Sequence, residues 1–266
     1  MSTVLPVFTR ELRESWRGLL GWTVGLAAVC FLYLPLFPSF GGGGQMAELI
    51  KSLPKQLVDT IGYNQIGTGA GYTESTFYGL MGFLLTTIAA VGWGSQAIAW
   101  REEAGRLELD LAHGIGRVQY AGEQALAIFV KLAWLGASSA LIIWALNVPA
   151  KLDLNGAYLV GAAASLVGLA LLHAYVGLLV GALTGRHAWA LGAAAGVAVL
   201  GYVLQAVAKQ STDLEWLRNL SPYSWVYRQS PLMDGANLGM LALVWGVALA
   251  CAVGAAVALR SRDVRG

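Results

Sequence analysis

The sequence predicts an all-α, polytopic membrane protein with six transmembrane helices, and three observations predict it. Of 266 residues, 57% are hydrophobic and only 12% charged, where a soluble domain carries roughly 25% charged residues. The apolar residues gather into six runs, each near the ~20 residues that a spanning helix needs. Glycine is abundant, 34 of 266 with no collagen-like period, and glycine allows membrane helices to approach closely. A soluble core of this size could not hide so much apolar surface. The spans consume the length, so a separate soluble domain is not expected. A net charge of +2 gives no reason to expect nucleic acid as a partner. Cys30 and Cys251 lie in apolar runs and read as small hydrophobes, not as a disulfide framework or metal site.

Residues 4–18 place Leu5, Phe8, Leu12, Trp16 and Leu19 at helical spacing, with Arg10, Arg13, Glu14 and Arg17 on the other sides. This pattern predicts an amphipathic elbow helix lying at the interface, its tryptophan at headgroup level and its arginines toward anionic lipid. The first span follows over 19–37, kinked or ended by Pro35 and Pro38. Its apolar run is too long for the core of a cleaved signal peptide. Segment 39–76 lies outside. It includes the flexible Gly41–Gly44 and an apolar stripe of Met46, Leu49, Ile50, Leu53, Leu57 and Ile61, with Thr73 or Ser75 placed to cap the next helix.

The second span covers 77–100 and the third 124–148, stopping before Pro149. The fourth covers 156–184, the fifth 188–208 and the sixth 238–259. Between the last two, 209–237 lies outside, with Tyr223, Trp225 and Tyr227 placed as an interfacial aromatic belt. Ten basic residues flank one side of these spans and six the other, so the positive-inside rule sets both termini in the cytoplasm. Pairs of glycines four apart (Gly21 with Gly25, Gly177 with Gly181 and Gly185, Gly192 with Gly196) are candidates for close helix contacts.

The loop over 101–117 holds the densest charge: Arg101, Glu102, Glu103, Gly105, Arg106, Glu108, Asp110 and Arg117. Leu107, Leu111 and Ile115 recur every four residues and form an apolar ridge. Gly114 and Gly116 end the helix. A plain turn between membrane helices needs only a few residues, so this short ridged helix reads as a piece that docks on another protein.

No enzyme chemistry is legible, and no catalytic or metal-ligating residue is assigned. None of the five lysines follows a glycine, so the phosphate-cradling P-loop is absent. His113, His173 and His187 are scattered without ligand spacing. No nucleophile elbow occurs. The polar residues expected inside spans are Lys131, His173 and Gln205. Lys131 is expected to snorkel toward the interface, His173 to bond a neighbouring helix or line a cavity, and Gln205 to bond between helices. None of the 15 acidic residues falls inside an expected span, which disfavours the alternative of an ion-coupled secondary transporter or channel.

The string Glu102, Glu103, Ala104, Gly105, Arg106, Leu107, Glu108, the elbow before span one, Arg117 after the loop and Ser221-Pro222 with Trp225 before the last span form one pattern. It resembles the six-span permease subunits of ABC-2 type ATP-binding-cassette transporters. The likeness covers the whole chain in topology and about twenty residues in motif. Gly114-Ile115-Gly116 departs from it where a proline is common. The resemblance implies a coupling helix at 101–117 docked on a separate ATPase subunit, present in two copies. It also implies a second permease subunit, identical or related, within membrane lipids. No cofactor would sit on this chain, because ATP and Mg would bind the partner. The implied role is export of a drug, antibiotic, lipid or other amphipathic compound across a bacterial or archaeal plasma membrane.

Overall fold

A computed structural model describes residues 5–40 and 67–262. The expected outer stripe 46–61 and the Gly41–Gly44 joint lie outside the described residues. Among the described residues the main helices are, in order, α1 (Pro6–Tyr33), α2 (Gly69–Glu103), α3 (Arg106–Ala112), α4 (Arg117–Asn147), α5 (Gly156–Thr184), α6 (His187–Ala208), α7 (Pro222–Tyr227) and α8 (Leu238–Ser261), with a short helical turn at Phe37–Phe40 after α1. A 3-10 helix at Thr212–Leu220 leads into α7. No strand occurs among the described residues. Six of these helices (α1 with its continuation to Ser39, α2, α4, α5, α6 and α8) are long and apolar enough to cross a membrane.

The elbow sequence is helical from Pro6 onward but is not a separate element. It runs without a break into the first span, and the helix ends only at Tyr33. The reason is local. No proline interrupts residues 7–34, Gly18, Gly21 and Gly25 keep helical geometry, and Pro35 supplies the first stop with a tight turn at Leu34–Leu36. The second span starts at Gly69 rather than near 77, because Thr68 caps it by accepting from the Gly71 N–H at 3.0 Å. Neither Thr73 nor Ser75 serves as the cap. The third spanning helix likewise begins at Arg117 rather than 124. These extensions carry Glu74 and Glu123 into helices that cross the bundle, so spanning helices do contain acidic residues.

The most deeply buried spanning helix lies at the centre. In α5, 78% of the apolar stretch is buried, against 17% in both α1 and α8. A helix apolar on every side is stable either inside a bundle or against lipid, and α5 takes the inside, packed by α2, α4, α6 and α8. Gly94 lets α2 meet α5 backbone to backbone: a Cβ there would lie 2.1 Å from the Ala174 carbonyl oxygen. On α5, Gly177 faces Ser95 and Gly94 of α2, and Gly181 faces Ala99. Gly185 instead closes α5 in the left-handed region with φ +66°. The other two glycine pairs pack on nothing among the described residues, since a Cβ at Gly21, Gly25, Gly192 or Gly196 meets nothing within 4 Å.

This contrast fixes an expected result. Gly94→Leu drives a side chain into the α5 backbone and costs several kcal/mol by overpacking. Gly192→Leu meets open space and leaves the fold intact. Thermal aggregation of the two variants in one detergent checks this. Equal midpoints would contradict the α2–α5 contact.

Candidate functional site

We call the end of the bundle that carries the loop 101–117 the loop face. The chain there is folded onto itself by charge. The α1 N-terminus has no capping side chain of its own, because Leu5 holds the cap position. Glu123 of α4 replaces it: its Oε2 accepts from Val7 N–H at 2.7 Å and Phe8 N–H at 3.0 Å. A carboxylate suits the positive end of a helix. One turn further, Glu11 binds two cations, Lys131 Nζ at 2.9 Å and Arg101 Nη2 at 2.5 Å. Lys131 also lies over the Trp93 ring, 4.7 Å from its centroid. Arg10 closes on Asp110 of α3 with two parallel bonds of 2.6 Å, the fork geometry that makes arginine–carboxylate pairs strong. Three cations (Arg10, Arg101, Lys131) thus meet two carboxylates (Glu11, Asp110), beside the capping Glu123, where α1, α2, α3 and α4 converge.

This junction revises the reading of Lys131. It does not snorkel: its side chain is 1% exposed and neutralised in place. It revises the elbow too. Arg10 and Glu11 face inward, while Arg13, Trp16 and Arg17 are exposed and Phe8 and Leu12 are half-buried. Arg17 stacks over Trp16 at 5.4 Å.

The largest correction concerns the loop. The ridge expected to dock on another protein faces this chain's own core. Leu107 is fully buried, and Leu111 and Ile115 are half-buried against the core. Gly105, with φ +65°, turns the chain sharply between α2 and α3. On α3, residues 107, 110 and 111 share one face. The Asp110–Arg10 bond pulls that face inward, and Leu107 and Leu111 follow. The outward face carries Arg106, Glu108, Leu109, Ala112 and His113, with Leu109 63% exposed. Arg106 rests over Trp100, 5.1 Å from the ring centroid.

The rest of the loop is tied to the other helices. Glu103 Oε1 accepts from the His187 N–H at 2.8 Å and so caps α6. Glu102 pairs with Arg262 at the end of α8. Arg117 donates to the Arg262 carbonyl at 2.6 Å. A cleft of about 620 Å³ opens beside these contacts, lined by Glu102, Glu103, Thr184, Arg186, Ser261 and Arg262. These bonds tie the end of α2 to α6 and α8, and the start of α4 to the end of α8, while α3 itself is held to α1 by Asp110.

The opposite end of the bundle holds a second polar region. Glu74 Oε2 accepts from the Leu232 N–H at 2.7 Å. Tyr223 is no belt residue. It is buried, donates to the Gly79 carbonyl at 2.8 Å and packs its ring on Phe83, Tyr202 and Tyr227. Trp225 and Tyr227 are half-buried, and burial beside Tyr223 and Glu74 raises the Tyr227 hydroxyl well above its ordinary pKa. The helix widens over Glu74–Met81 into the i to i+5 pattern, which accommodates this side-chain crowd. Gln205 bonds Ser224 of α7, which makes it an interhelix contact. His173 sits between α5 and α2, its Nδ1 3.4 Å from Thr87 Oγ1 and its ring edge-on to Phe83. No group of three or more metal-ligating side chains occurs among the described residues.

Glu11, Asp110, Glu123 and Glu74 escaped the sequence reading. Two signals could have found Glu11. A lysine seven residues inside a span needs a counter-charge, and Glu11 falls between Phe8 and Leu12 on the apolar side of its helix.

No curated protein matches the chain significantly. A family model does, over residues 8–260, and its description is multidrug efflux system permease Rv1217c, C-terminal domain. That match runs from the first turn of α1 to the last turn of α8 and takes in every spanning helix. The chain therefore belongs to this family of efflux permeases.

Proposed function

We propose that this chain is the permease subunit of an ATP-driven ABC exporter, with both termini and the loop face in the cytoplasm of a bacterial or archaeal cell. Two permease subunits, identical or related, would form the substrate path, and two ATPase subunits would bind below them. The observation that carries the reading is the mounting of α3. Its outward face presents Arg106, Leu109 and His113 to a partner, while its inward face grips α1 through Arg10–Asp110. The adjoining Glu102 and Glu103 hold α8 and α6. A helix free on one side, bonded to α1 on the other and joined by Gly105 to the end of α2, which itself holds α6 and α8, is suited to pass on a push. Buried side chains and rigid helices are what carry such coupling. Because Asp110 holds α3 to α1, and Glu102 and Glu103 hold the adjoining end of α2 to α8 and α6, movement of a docked ATPase would pass to α1 directly and to α6 and α8 through α2, a rigid-body or shear motion of the common kind.

Amphipathic compounds are the cargo that fits a permease whose spanning helices are predominantly apolar, with polar groups gathered toward the two ends. ATP and Mg would be bound and consumed on the partner. An ion-coupled carrier is the other reading, and Glu74 and Glu123 are its only new support. Glu123 is occupied as a helix cap, and Glu74 holds a backbone N–H.

The test is reconstitution in liposomes with a P-loop ATPase that copurifies with this chain. Dye efflux is expected only with both proteins and ATP, and the chain alone is expected to hydrolyse nothing. Efflux driven by a proton or sodium gradient without nucleotide would overturn the proposal in favour of the carrier.

A further inference from the structure

Between α4 and α8, with α5 as its floor, runs an apolar groove of about 590 Å³. Val118, Gly122, Leu126 and Phe129 form one wall, and Leu249 and Val253 stand on the other. The polar atoms of its aromatic lining are already used: Tyr175 donates to the Ala125 carbonyl at 2.9 Å and Trp245 to the Ala164 carbonyl at 3.2 Å. Phe129 and Trp245 meet edge to face across the inner end. Whatever enters this groove meets hydrocarbon and ring faces almost entirely.

Its length is informative. From Val118 to Phe129 the wall rises about 16 Å at ~1.5 Å per residue, close to half of the ~30 Å hydrocarbon core of a bilayer. The groove therefore matches the depth of one leaflet, the leaflet at the loop face. At its mouth the chemistry changes. Arg117 adjoins Val118 and reaches across to the Arg262 carbonyl. Arg260 lies one turn beyond Ala256 and two beyond Ala252, on the α8 row that lines the groove. Arg260 is exposed and forms no ion pair among the described residues. The α4 N-terminus at Gly116 has no side-chain cap and adds its partial positive charge beside Arg117.

We propose that this groove binds an anionic phospholipid of the loop-face leaflet, with one acyl chain along α4 and α8 and the phosphate between Arg117 and Arg260. The site follows from the membrane-spanning fold and does not depend on how transport is powered.

The experiment uses the purified full chain, delipidated in detergent and titrated with phosphatidylglycerol or phosphatidylcholine of equal chain length. Native mass spectrometry reads the retained lipid. One phosphatidylglycerol is expected per chain, preferred over phosphatidylcholine on the order of tenfold, because two arginines near the headgroup favour negative charge. A Cβ at Gly246 meets nothing within 4 Å, so Gly246→Leu fills the groove without disturbing the backbone and is expected to lose both lipids at unchanged melting temperature. Arg260→Glu is expected to retain a lipid but lose the preference. Equal retention of the two lipids by the unaltered chain would overturn the proposal, as would full retention by Gly246→Leu. A Gly246→Cys chain that crosslinks to a second copy in membranes would also overturn it, by assigning the groove to a contact between copies.

Discussion

Glu11→Leu is expected to be the most damaging conservative-volume change on the loop face. Glu11 is the carboxylate that pairs with Lys131, and Lys131 is almost wholly buried. Removing the acid strands an ammonium in an apolar seam and leaves Arg101 with only distant acids, Glu14 and Asp110 each at 3.9 Å. Breaking one half of a buried pair costs about 3–5 kcal/mol, whereas replacing both halves by apolar groups is often neutral. The double variant Glu11→Leu with Lys131→Met should therefore regain more than half of the stability lost by Glu11→Leu alone. Thermal unfolding of the three proteins in one detergent gives the coupling energy. If the double variant is no more stable than the single one, the charges are independent and the α1–α4 seam rests on packing alone.

The same junction explains what was legible in the sequence. Six apolar runs could be read because each helix faces lipid or its own core over most of its surface, and composition alone records that. Their ends could not be read as well. Glu123 and Glu74 look like boundary markers when charge is taken to mean water, yet each is held inside by a backbone N–H from a segment more than a hundred residues away in sequence. Such partners leave no local trace. The loop shows the same limit. Its helix and its glycine stops follow from spacing, but which face turns outward depends on Arg10, a hundred residues upstream of Asp110. A ridge of leucines shows that a helix has an apolar side and says nothing of what covers it. Tyr223 was misplaced for the related reason that an aromatic cluster reads alike whether lipid or Phe83 lies against it.

The outward face of α3 carries the second large expectation. Leu109→Asp places a charge on a side chain that is 63% exposed, so the chain should fold as before. If α3 docks on an ATPase, that charge lands in the contact. A central apolar anchor is worth about 2 kcal/mol or more, which corresponds to roughly a thirtyfold loss of affinity at ~1.4 kcal/mol per tenfold. Copurification of the partner ATPase should fall accordingly. Leu107→Asp, two residues away and on the opposite face, should instead destroy the fold, because Leu107 is fully enclosed and an unpaired buried charge is costly. Asp110→Asn separates binding from transmission. It leaves the outward face untouched but weakens the paired bonds to Arg10, each of the charge-assisted kind worth about 1.5–3 kcal/mol. The ATPase should then bind and hydrolyse normally while efflux drops several-fold. Unchanged binding by Leu109→Asp would remove α3 as the docking element, and unchanged efflux by Asp110→Asn would remove the Arg10 contact as the route by which that element moves α1.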